Sequence, residues 1–302
     1  MHAVYLNPLT DFGFKKLFGE EPHKDLLISF LNTLLPPHHQ IADLQYTKNE
    51  YQGVTPLDRK AIFDLNCMST TGERFIVELQ KVKQLYFKDR SIYYSTFGIQ
   101  EQAQRGDWDY KLEAVYTIGI LDFIMDDQQH EVIYHAQLKD QLNRVFYDKL
   151  TFIYLVLPRF NKTPEQLNTL QDKWLYVFKH LHELDAIPIT LDEEIFHRTF
   201  AIAQLSQFSP EERKAYEDSI KYYRDLKNSF DTARFEGLQE GIELGKQAGR
   251  SEGLQEGLEL GKQTGIEEEK REMAKRMLAK GLESSLVAEL TGMDLVSISN
   301  LL

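Results

Sequence analysis

Residues 58–80 read DRKAIFDLNCMSTTGERFIVELQ, and this stretch decides the fold. It predicts two β-strands, Lys60–Met68 and Arg74–Val82, joined by a turn of sequence Ser-Thr-Thr-Gly. If the hairpin is centred on Thr71, Asp64 lies directly opposite Glu78, because each is seven positions from the centre. The stretch therefore predicts two carboxylates facing each other across one strand pair.

This carboxylate pair has two interpretations. Directly opposed strand residues have Cβ atoms about 4.5–5.5 Å apart, so both carboxylates could reach one cation. Two like charges at that distance repel each other, and the apolar neighbours Ile62, Phe63, Ile76 and Val77 indicate partial burial. A bound divalent metal would remove the repulsion. The alternative is a pair of solvated carboxylates on the open face of a sheet, and spacing alone leaves both open.

An Asp on one strand, a turn, and Glu-x-Lys on the next strand form the signature of the PD-(D/E)XK nuclease superfamily, which this hairpin resembles. Further motifs resemble its Rpn-like branch of recombination-promoting nucleases and transposase-like proteins. In chain order they are TDFGFKKLFG (Thr10–Gly19), Phe63-Asp64, ELQ (Glu78–Gln80), RSIYY (Arg90–Tyr94), LPRF (Leu157–Phe160), KWL (Lys173–Leu175) and a tail rich in Gly and Glu. The resemblance covers nearly the whole chain.

The resemblance implies a fold and a set of site residues. The fold would be α/β, with a restriction-endonuclease-like core of a mixed central sheet flanked by helices and a helical C-terminal extension. Asp64, Glu78 and the backbone carbonyl of Leu79 would hold Mg²⁺ or Mn²⁺. The third catalytic residue would be Gln80, which stands where the superfamily usually has Lys and so brings no positive charge.

Four further residues are weaker candidates for the same site. Asp11, on an early helix, resembles the acidic residue that often completes the metal site in the superfamily, but it could instead cap its own helix. Arg90 and Tyr94 are four residues apart and share one face of a predicted helix. They could contact a DNA phosphate or simply pack on the sheet. Lys60 belongs to the basic residues near the hairpin and is a candidate DNA contact.

Composition limits the partners of the protein. A net charge of −12 argues against a protein that coats nucleic acid by bulk electrostatics, so a DNA-binding surface would be a local patch. The chain has one cysteine, Cys67, and no apolar run long enough to span a membrane. Its first residues lack the basic and apolar regions of a secretory signal. We therefore expect a cytoplasmic protein with no membrane partner.

Apolar spacing predicts the other elements. Helices are expected over Asp11–Phe18, Pro22–Leu34, Phe87–Arg105, Pro164–Glu183, Glu193–Gln207 and Pro210–Asn228. Strands are expected over residues 41–50, Glu113–Ile124, Val132–Leu138 and Thr151–Leu157. Because a helix separates the hairpin from the next strand, that strand is expected to join the same sheet in parallel.

The tail contains an internal repeat. Residues 237–252 recur almost unchanged at 253–268, and Gly stands at every fourth position from Gly237 to Gly265. One interpretation is a flexible linker, although such linkers are rich in Gly and Ser and lack Leu, Ile and Glu. The other is a helix whose glycines let a second helix approach closely, as small residues do in membrane helices. We favour this second interpretation, which predicts a homo-oligomer formed through the tail.

The sequence predicts three segments and three candidate functions. Residues 1–235 would form the nuclease-like domain, 236–270 the helical repeat, and 271–302 a small interaction module resembling a helix-turn-helix. The first function is a metal-dependent DNA endonuclease, of the type linked to DNA recombination in the resembled family. The second is a DNA-binding protein that keeps the fold without the chemistry. The third is an oligomeric scaffold in which the tail is the functional part.

Overall fold

The hairpin lies inside a six-stranded mixed sheet in the computed structural model, which describes residues 3–51, 61–103, 109–125 and 130–301. The strands are β1 (Leu44–Tyr46), β2 (Glu50–Tyr51), β3 (Ala61–Ile62), β4 (Leu65–Ser69), β5 (Arg74–Gln80), β6 (Val115–Leu121), β7 (Ile133–Lys139) and β8 (Val145–Val156). The order across the sheet is β1-β4-β5-β6-β8-β7, and β2 and β3 form a separate pair. β6 runs parallel to both β5 and β8, while the other neighbours are antiparallel. The predicted parallel crossover is therefore confirmed.

Helices cover both faces of this sheet. In chain order the helices of the described residues are α1 (Asp11–Phe18), α2 (Lys24–Asn32), α3 (Phe87–Gln100), α4 (Leu170–His180), α5 (Glu194–Ala203), α6 (Pro210–Ala279), α7 (Ser284–Thr291) and α8 (Leu295–Ser299). Successive side chains of a strand point to opposite faces. On β5, Val77 and Leu79 join the main core under α1, α2, α4 and α5, whereas Ile76 joins a small cluster under α3. Glu78 and Gln80 alternate along β5 with Val77 and Leu79, so they lie on the face of the sheet that α3 covers.

The main core is built around aromatic side chains. Trp174 of α4 is fully buried, with its ring centroid 5.7 Å from that of Phe18 and 4.9 Å from that of Phe196. Its indole nitrogen donates a hydrogen bond to the Ser29 hydroxyl at 3.1 Å, which satisfies the polar atom inside the core. This packing joins α1, α2, α4 and α5 into one layer, and that layer fixes the position of α1 beside the hairpin.

The predicted hairpin register is confirmed, but its first strand is interrupted. Leu65 lies opposite Val77, which is the register expected for a hairpin centred on Thr71. Gly72 closes the turn at φ +100°, a conformation that glycine adopts without strain. The predicted strand Lys60–Met68, however, is divided into β3 and β4, which belong to different sheets.

The interruption has a local cause. The Phe63 side chain turns toward α3, where its ring packs edge-on against Tyr94 at 4.9 Å. The backbone carbonyl of Asn49 accepts a hydrogen bond from the Phe63 backbone nitrogen at 2.8 Å. The side-chain oxygen of Asn49 accepts a second one from the Asn66 backbone nitrogen at 3.1 Å. Asn49 therefore holds both sides of the break, and Asp64 lies between them, outside the ladder.

The C-terminal part differs from the sequence prediction in one respect. The predicted helix Pro210–Asn228 continues without a break through the Gly repeat, as the single 70-residue helix α6. By its internal contacts the chain divides into two units, Met1–Phe230 and Asp231–Leu302. In the second unit Ala274, Val287 and Ile298 form a small buried core. The predicted division into three segments stays a prediction. Among the described residues, no helix has the length and apolar character needed to cross a membrane.

Candidate active site

The hairpin brings Asp64 and Glu78 into contact. The Asp64 backbone nitrogen donates to the Glu78 Oε1 atom at 3.3 Å. The Asp64 Oδ2 atom accepts from the Leu79 backbone nitrogen at 2.6 Å, so the end of β5 holds this carboxylate in place. Two of the candidate metal ligands thus meet where β5 ends.

Burial makes this carboxylate pair electrostatically unfavourable without a cation. Glu78 is only 7% exposed, and its pKa is raised mainly by burial and secondly by the Asp64 charge. Burial also raises the pKa of Asp64, although its hydrogen bond from Leu79 acts in the opposite direction. Two buried like charges at one position favour protonation or a bound cation.

The backbone carbonyl of Leu79 faces the same edge of β5 as the Asp64 carboxylate. The next carbonyl along the strand, that of Gln80, turns the other way and accepts from the Asp122 nitrogen at 2.9 Å on the β6 side. Successive residues of a strand direct their carbonyls to opposite sides. The third predicted ligand is therefore available beside the carboxylates.

Gln80 contacts the pair rather than standing apart from it. Its side chain lies close to that of Glu78 and favours the charged form of that carboxylate. Lys81, the next residue, lies near Asp64 and Asp11, whose charges oppose the lowering of its pKa by burial. A positive charge is thus present beside the site although position 80 does not supply one.

Arg90 lies on α3 above Glu78. Its Nη1 atom donates to the Gln84 side chain at 2.6 Å, and its guanidinium lies 5.7 Å from the Tyr94 ring centroid. Its charge lowers the pKa of Glu78 and so acts on the carboxylate pair directly. Within the described residues, the buried Nη2 atom of Arg90 has no hydrogen-bond partner. A donor of this kind is suited to an anionic ligand such as a phosphate.

The other candidate contacts are placed differently. Tyr94 is partly buried against Phe63, and its hydroxyl accepts from the Ile62 backbone. Tyr94 therefore packs as the structural interpretation predicted, close to Arg90. Lys60 lies outside the described residues.

Asp11 lines the same cavity as Asp64 but does not contact the carboxylate pair. Its carboxylate is exposed and forms an ion pair with Lys15 at 2.9 Å. The expectation that it might cap its own helix is wrong, because the side chain of Thr10 accepts from the Gly13 nitrogen and is the cap. Within the described residues no group of three or more His, Cys, Asp or Glu side chains is arranged to hold a metal. Asp11 is therefore a neighbour of the candidate centre in this structure.

The cavity has a volume of about 440 Å³ and opens beside Asp64. Its walls include Asp11, Gln80, Lys81, Arg90 and, from α6, Ser219 and Tyr222. The α6 residues were missed by sequence analysis, since they lie far along the chain and carry no motif. Lys81, directly after Gln80, belongs to the basic residues that cluster near the hairpin in the sequence. Its Nζ atom lies 5.5 Å from the centroid of the Tyr222 ring.

Contacts from α6 to α1 fix this wall of the cavity. The Ser219 hydroxyl accepts from the Phe12 backbone nitrogen at 3.1 Å, which satisfies a free donor in the first turn of α1. The Tyr216 hydroxyl accepts from the Asn7 backbone nitrogen at 2.8 Å. The start of α6 is therefore part of the same unit as the hairpin and shapes its cavity.

Comparison with known proteins identifies the family. A sequence model of the family described as PD-(D/E)XK nuclease family transposase matches residues 8–233. The matched region contains Asp11, Asp64, Glu78, Gln80 and Arg90. No curated protein and no solved structure matches the chain.

Proposed function

Because the chain belongs to the PD-(D/E)XK nuclease family transposases, we propose that it is a metal-dependent DNA endonuclease. The observation that carries the proposal is the contact between Asp64 and Glu78 at the open end of β5, with the Leu79 backbone beside them. Hydrolysis of a phosphodiester is the reaction that such a carboxylate pair serves in this family.

The residues present fit a divalent cation. Asp64, Glu78 and the Leu79 carbonyl offer oxygen ligands, which Mg²⁺ and Mn²⁺ prefer. Burial raises the pKa values of both carboxyl groups, and the Asp64 charge raises that of Glu78 further. A bound cation would favour the charged forms of both. When bound, the cation would act as a Lewis acid on a phosphate oxygen.

The chain itself supplies positioning and charge. Gln80 lies beside Glu78 and favours its charged form, and in this proposal its amide orients a water near the pair. The Nη2 atom of Arg90, which has no hydrogen-bond partner among the described residues, can donate to a phosphate oxygen beside the cavity. Lys81 adds a positive charge near Asp64, where a developing negative charge on the phosphate would be stabilised.

A second candidate is a DNA-binding protein of this fold without nuclease chemistry. The observation that favours it is Gln80, which cannot supply the charge of the usual Lys. The intact carboxylate pair favours the enzyme. Both candidates share DNA as the partner and differ only in the reaction.

Incubation of the purified protein with supercoiled plasmid tests the proposal. We expect nicked and linear DNA with Mg²⁺ or Mn²⁺, none with a chelator, and none with an Asp64→Ala variant that keeps the wild-type melting temperature. Binding of the plasmid without cleavage under every metal condition would support the second candidate. Equal nicking by wild type and Asp64→Ala would end the endonuclease proposal for this site.

We also propose that the repeat in α6 pairs with a second copy of the chain. Every residue from Lys227 to Met273 is exposed within one chain, including Leu238, Leu254 and Leu258. A Cβ atom built on any glycine of the repeat would meet no atom within 4 Å other than its chain neighbours and the adjacent backbone of its own helix. A helix of low intrinsic stability with an open glycine face gains order by packing against another helix.

Light scattering tests this pairing. Full-length protein should have the mass of two or more chains, and a chain ending at Phe235 should have the mass of one. The same number of chains per particle in both proteins would exclude pairing through the repeat.

A further inference from the structure

A second groove lies beside the cavity of the candidate active site. It has a volume of about 600 Å³ and is lined by residues of the first two turns of α3 and of the loop that precedes this helix. Gln84 and Arg90 line both the groove and the cavity. A ligand that occupies the cavity can therefore continue into the groove without leaving the surface.

The walls of this groove are large side chains that the protein leaves in solvent. Leu85 is 86% exposed and Tyr86 70% exposed. Tyr93 is also exposed, but its ring is held in place by Phe97, with centroids 5.2 Å apart. A single exposed apolar residue is common on protein surfaces, whereas several around one groove indicate a binding surface.

The surrounding charge selects the kind of ligand. Residues 81–94 contain four basic side chains, Lys81, Lys83, Lys88 and Arg90, and one acidic side chain, Asp89, a local net charge of +3 in a chain of net charge −12. Lys83 and Lys88 are exposed, and Asp89 and Arg90 line the groove itself. An anionic ligand with flat apolar groups matches both the charge and the aromatic walls.

We propose that this groove binds unpaired bases of the DNA strand next to the scissile phosphate, so the preferred substrate has a single-stranded region. The proposal rests on the proposed endonuclease function. Bases in a duplex are stacked on each other and cannot reach a side chain, whereas unpaired bases stack on aromatic rings. Tyr86 and Tyr93 supply the rings, and Arg90 fixes the phosphate between groove and cavity.

A second copy of the chain is a less suitable occupant. A symmetric contact between two copies would bring the same basic side chains of both against each other. Like charges brought together in an interface are unfavourable. A polyanion is attracted by Lys83, Lys88 and Arg90, and these positive charges outnumber the one negative charge of Asp89.

Fluorescence anisotropy tests the proposal without depending on catalysis. A labelled single strand and the same strand in a duplex are titrated with full-length protein in the presence of a chelator. We expect the single strand to bind at least about fivefold more tightly. Tyr86→Ala and Tyr93→Ala should each weaken single-strand binding by about 5- to 100-fold, since stacking contributes roughly this much per base. Tyr86→Trp should retain it.

Phe146→Ala is the matched control. Phe146 is 79% exposed at the start of β8, at the opposite end of the sheet from the site, so its loss should leave DNA binding unchanged. Equal affinity for single strand and duplex, or equal binding by the tyrosine variants and Phe146→Ala, would overturn the proposal. A change of particle mass in Tyr86→Ala would assign the groove to contacts between copies and would overturn it as well.

Cleavage separates this inference from the function on which it rests. With Mn²⁺, a duplex that carries an unpaired bubble should be cut faster than the fully paired duplex, and Tyr86→Ala should reduce that preference. Preferential single-strand binding without cleavage of any DNA would support the groove and end the endonuclease proposal. Cleavage of both DNAs at one rate, unchanged in Tyr86→Ala, would support the endonuclease and overturn the groove.

Discussion

The hairpin of residues 64–80 and the Gly repeat of residues 237–268 are both strongly patterned, yet the structure uses them in opposite ways. Around the hairpin, both faces of β5 are buried, and the Asp64 and Glu78 carboxylates each accept a backbone hydrogen bond. In the repeat every residue is exposed within the single chain. Contacts inside the chain explain the sequence pattern of the hairpin. Such contacts do not explain the sequence pattern of the repeat.

Energetics sharpens this contrast. Each glycine inside a helix is less favourable than alanine by about 0.8–1.0 kcal/mol, so the eight in the repeat total roughly 6–8 kcal/mol. The hairpin instead holds its unfavourable feature, two buried carboxylates, within a packed sheet. Each region therefore carries a destabilising feature whose compensation we assign to a ligand: a cation in the hairpin and a second chain in the repeat.

Carboxylate removal should change the nicking rate strongly in the hairpin and not at all in the repeat. We expect Glu78→Gln to reduce plasmid nicking by more than about 100-fold, since residues that merely support metal ligands already contribute 10- to 100-fold. The double variant Glu240→Gln, Glu243→Gln in the repeat should nick like the wild type. Retained activity in Glu78→Gln, measured as initial rate at saturating Mg²⁺, would remove the assigned role of this carboxylate.

Filling the glycine face should affect assembly and leave the hairpin unchanged. We expect replacement of Gly241, Gly245, Gly257 and Gly261 by Leu to raise helix propensity and to reduce the particle mass to that of one chain, because close approach is blocked. Light scattering measures the mass and circular dichroism the helix content. The matched control replaces Gln239, Gln247, Gln255 and Gln263 by Leu, which keeps the glycine face open. Equal masses for both variants would contradict pairing through the glycines.

Gln80 should have a smaller effect on the hairpin site than the carboxylates. We expect Gln80→Ala to lower the nicking rate by about 10-fold, because it removes a side chain that favours the charged form of Glu78. Gln80→Lys should match or exceed the wild type, since Lys also stabilises developing negative charge. A wild-type rate in Gln80→Ala would show that this side chain does not take part.

The smallest expected effect is a dependence of stability on pH. The folded protein raises the pKa of Glu78 above its unfolded value of about 4.3, so folding favours the protonated form. This contribution is complete below the unfolded pKa and is lost as pH rises through the folded pKa. Without metal, we expect the melting temperature to fall by a few degrees over that range, and less in Glu78→Gln. An identical pH profile for both proteins would contradict the burial of a charged Glu78.

The hairpin could be predicted in detail because its determinants are local. Alternation of side chains and a glycine turn fixed the register, which the structure confirms at Leu65 and Val77. The break before β4 could not be predicted, because it depends on Phe63 packing against a helix that follows later in the chain. The α6 wall of the cavity was missed for the same reason, since Tyr222 meets Lys81 only in the folded chain. The resemblance supplied the family, which the match to residues 8–233 confirms.

The central claim is that Asp64 and Glu78 form one divalent-cation site, and direct measurement of Mn²⁺ binding tests it. Paramagnetic resonance of free Mn²⁺ is recorded at slightly alkaline pH for wild type, Asp64→Asn and Glu78→Gln. Each variant keeps the acidic tail, so weak binding there cancels in the comparison. We predict one Mn²⁺ per chain that is present in the wild type and absent from both variants. Equal Mn²⁺ binding by all three proteins would contradict the account.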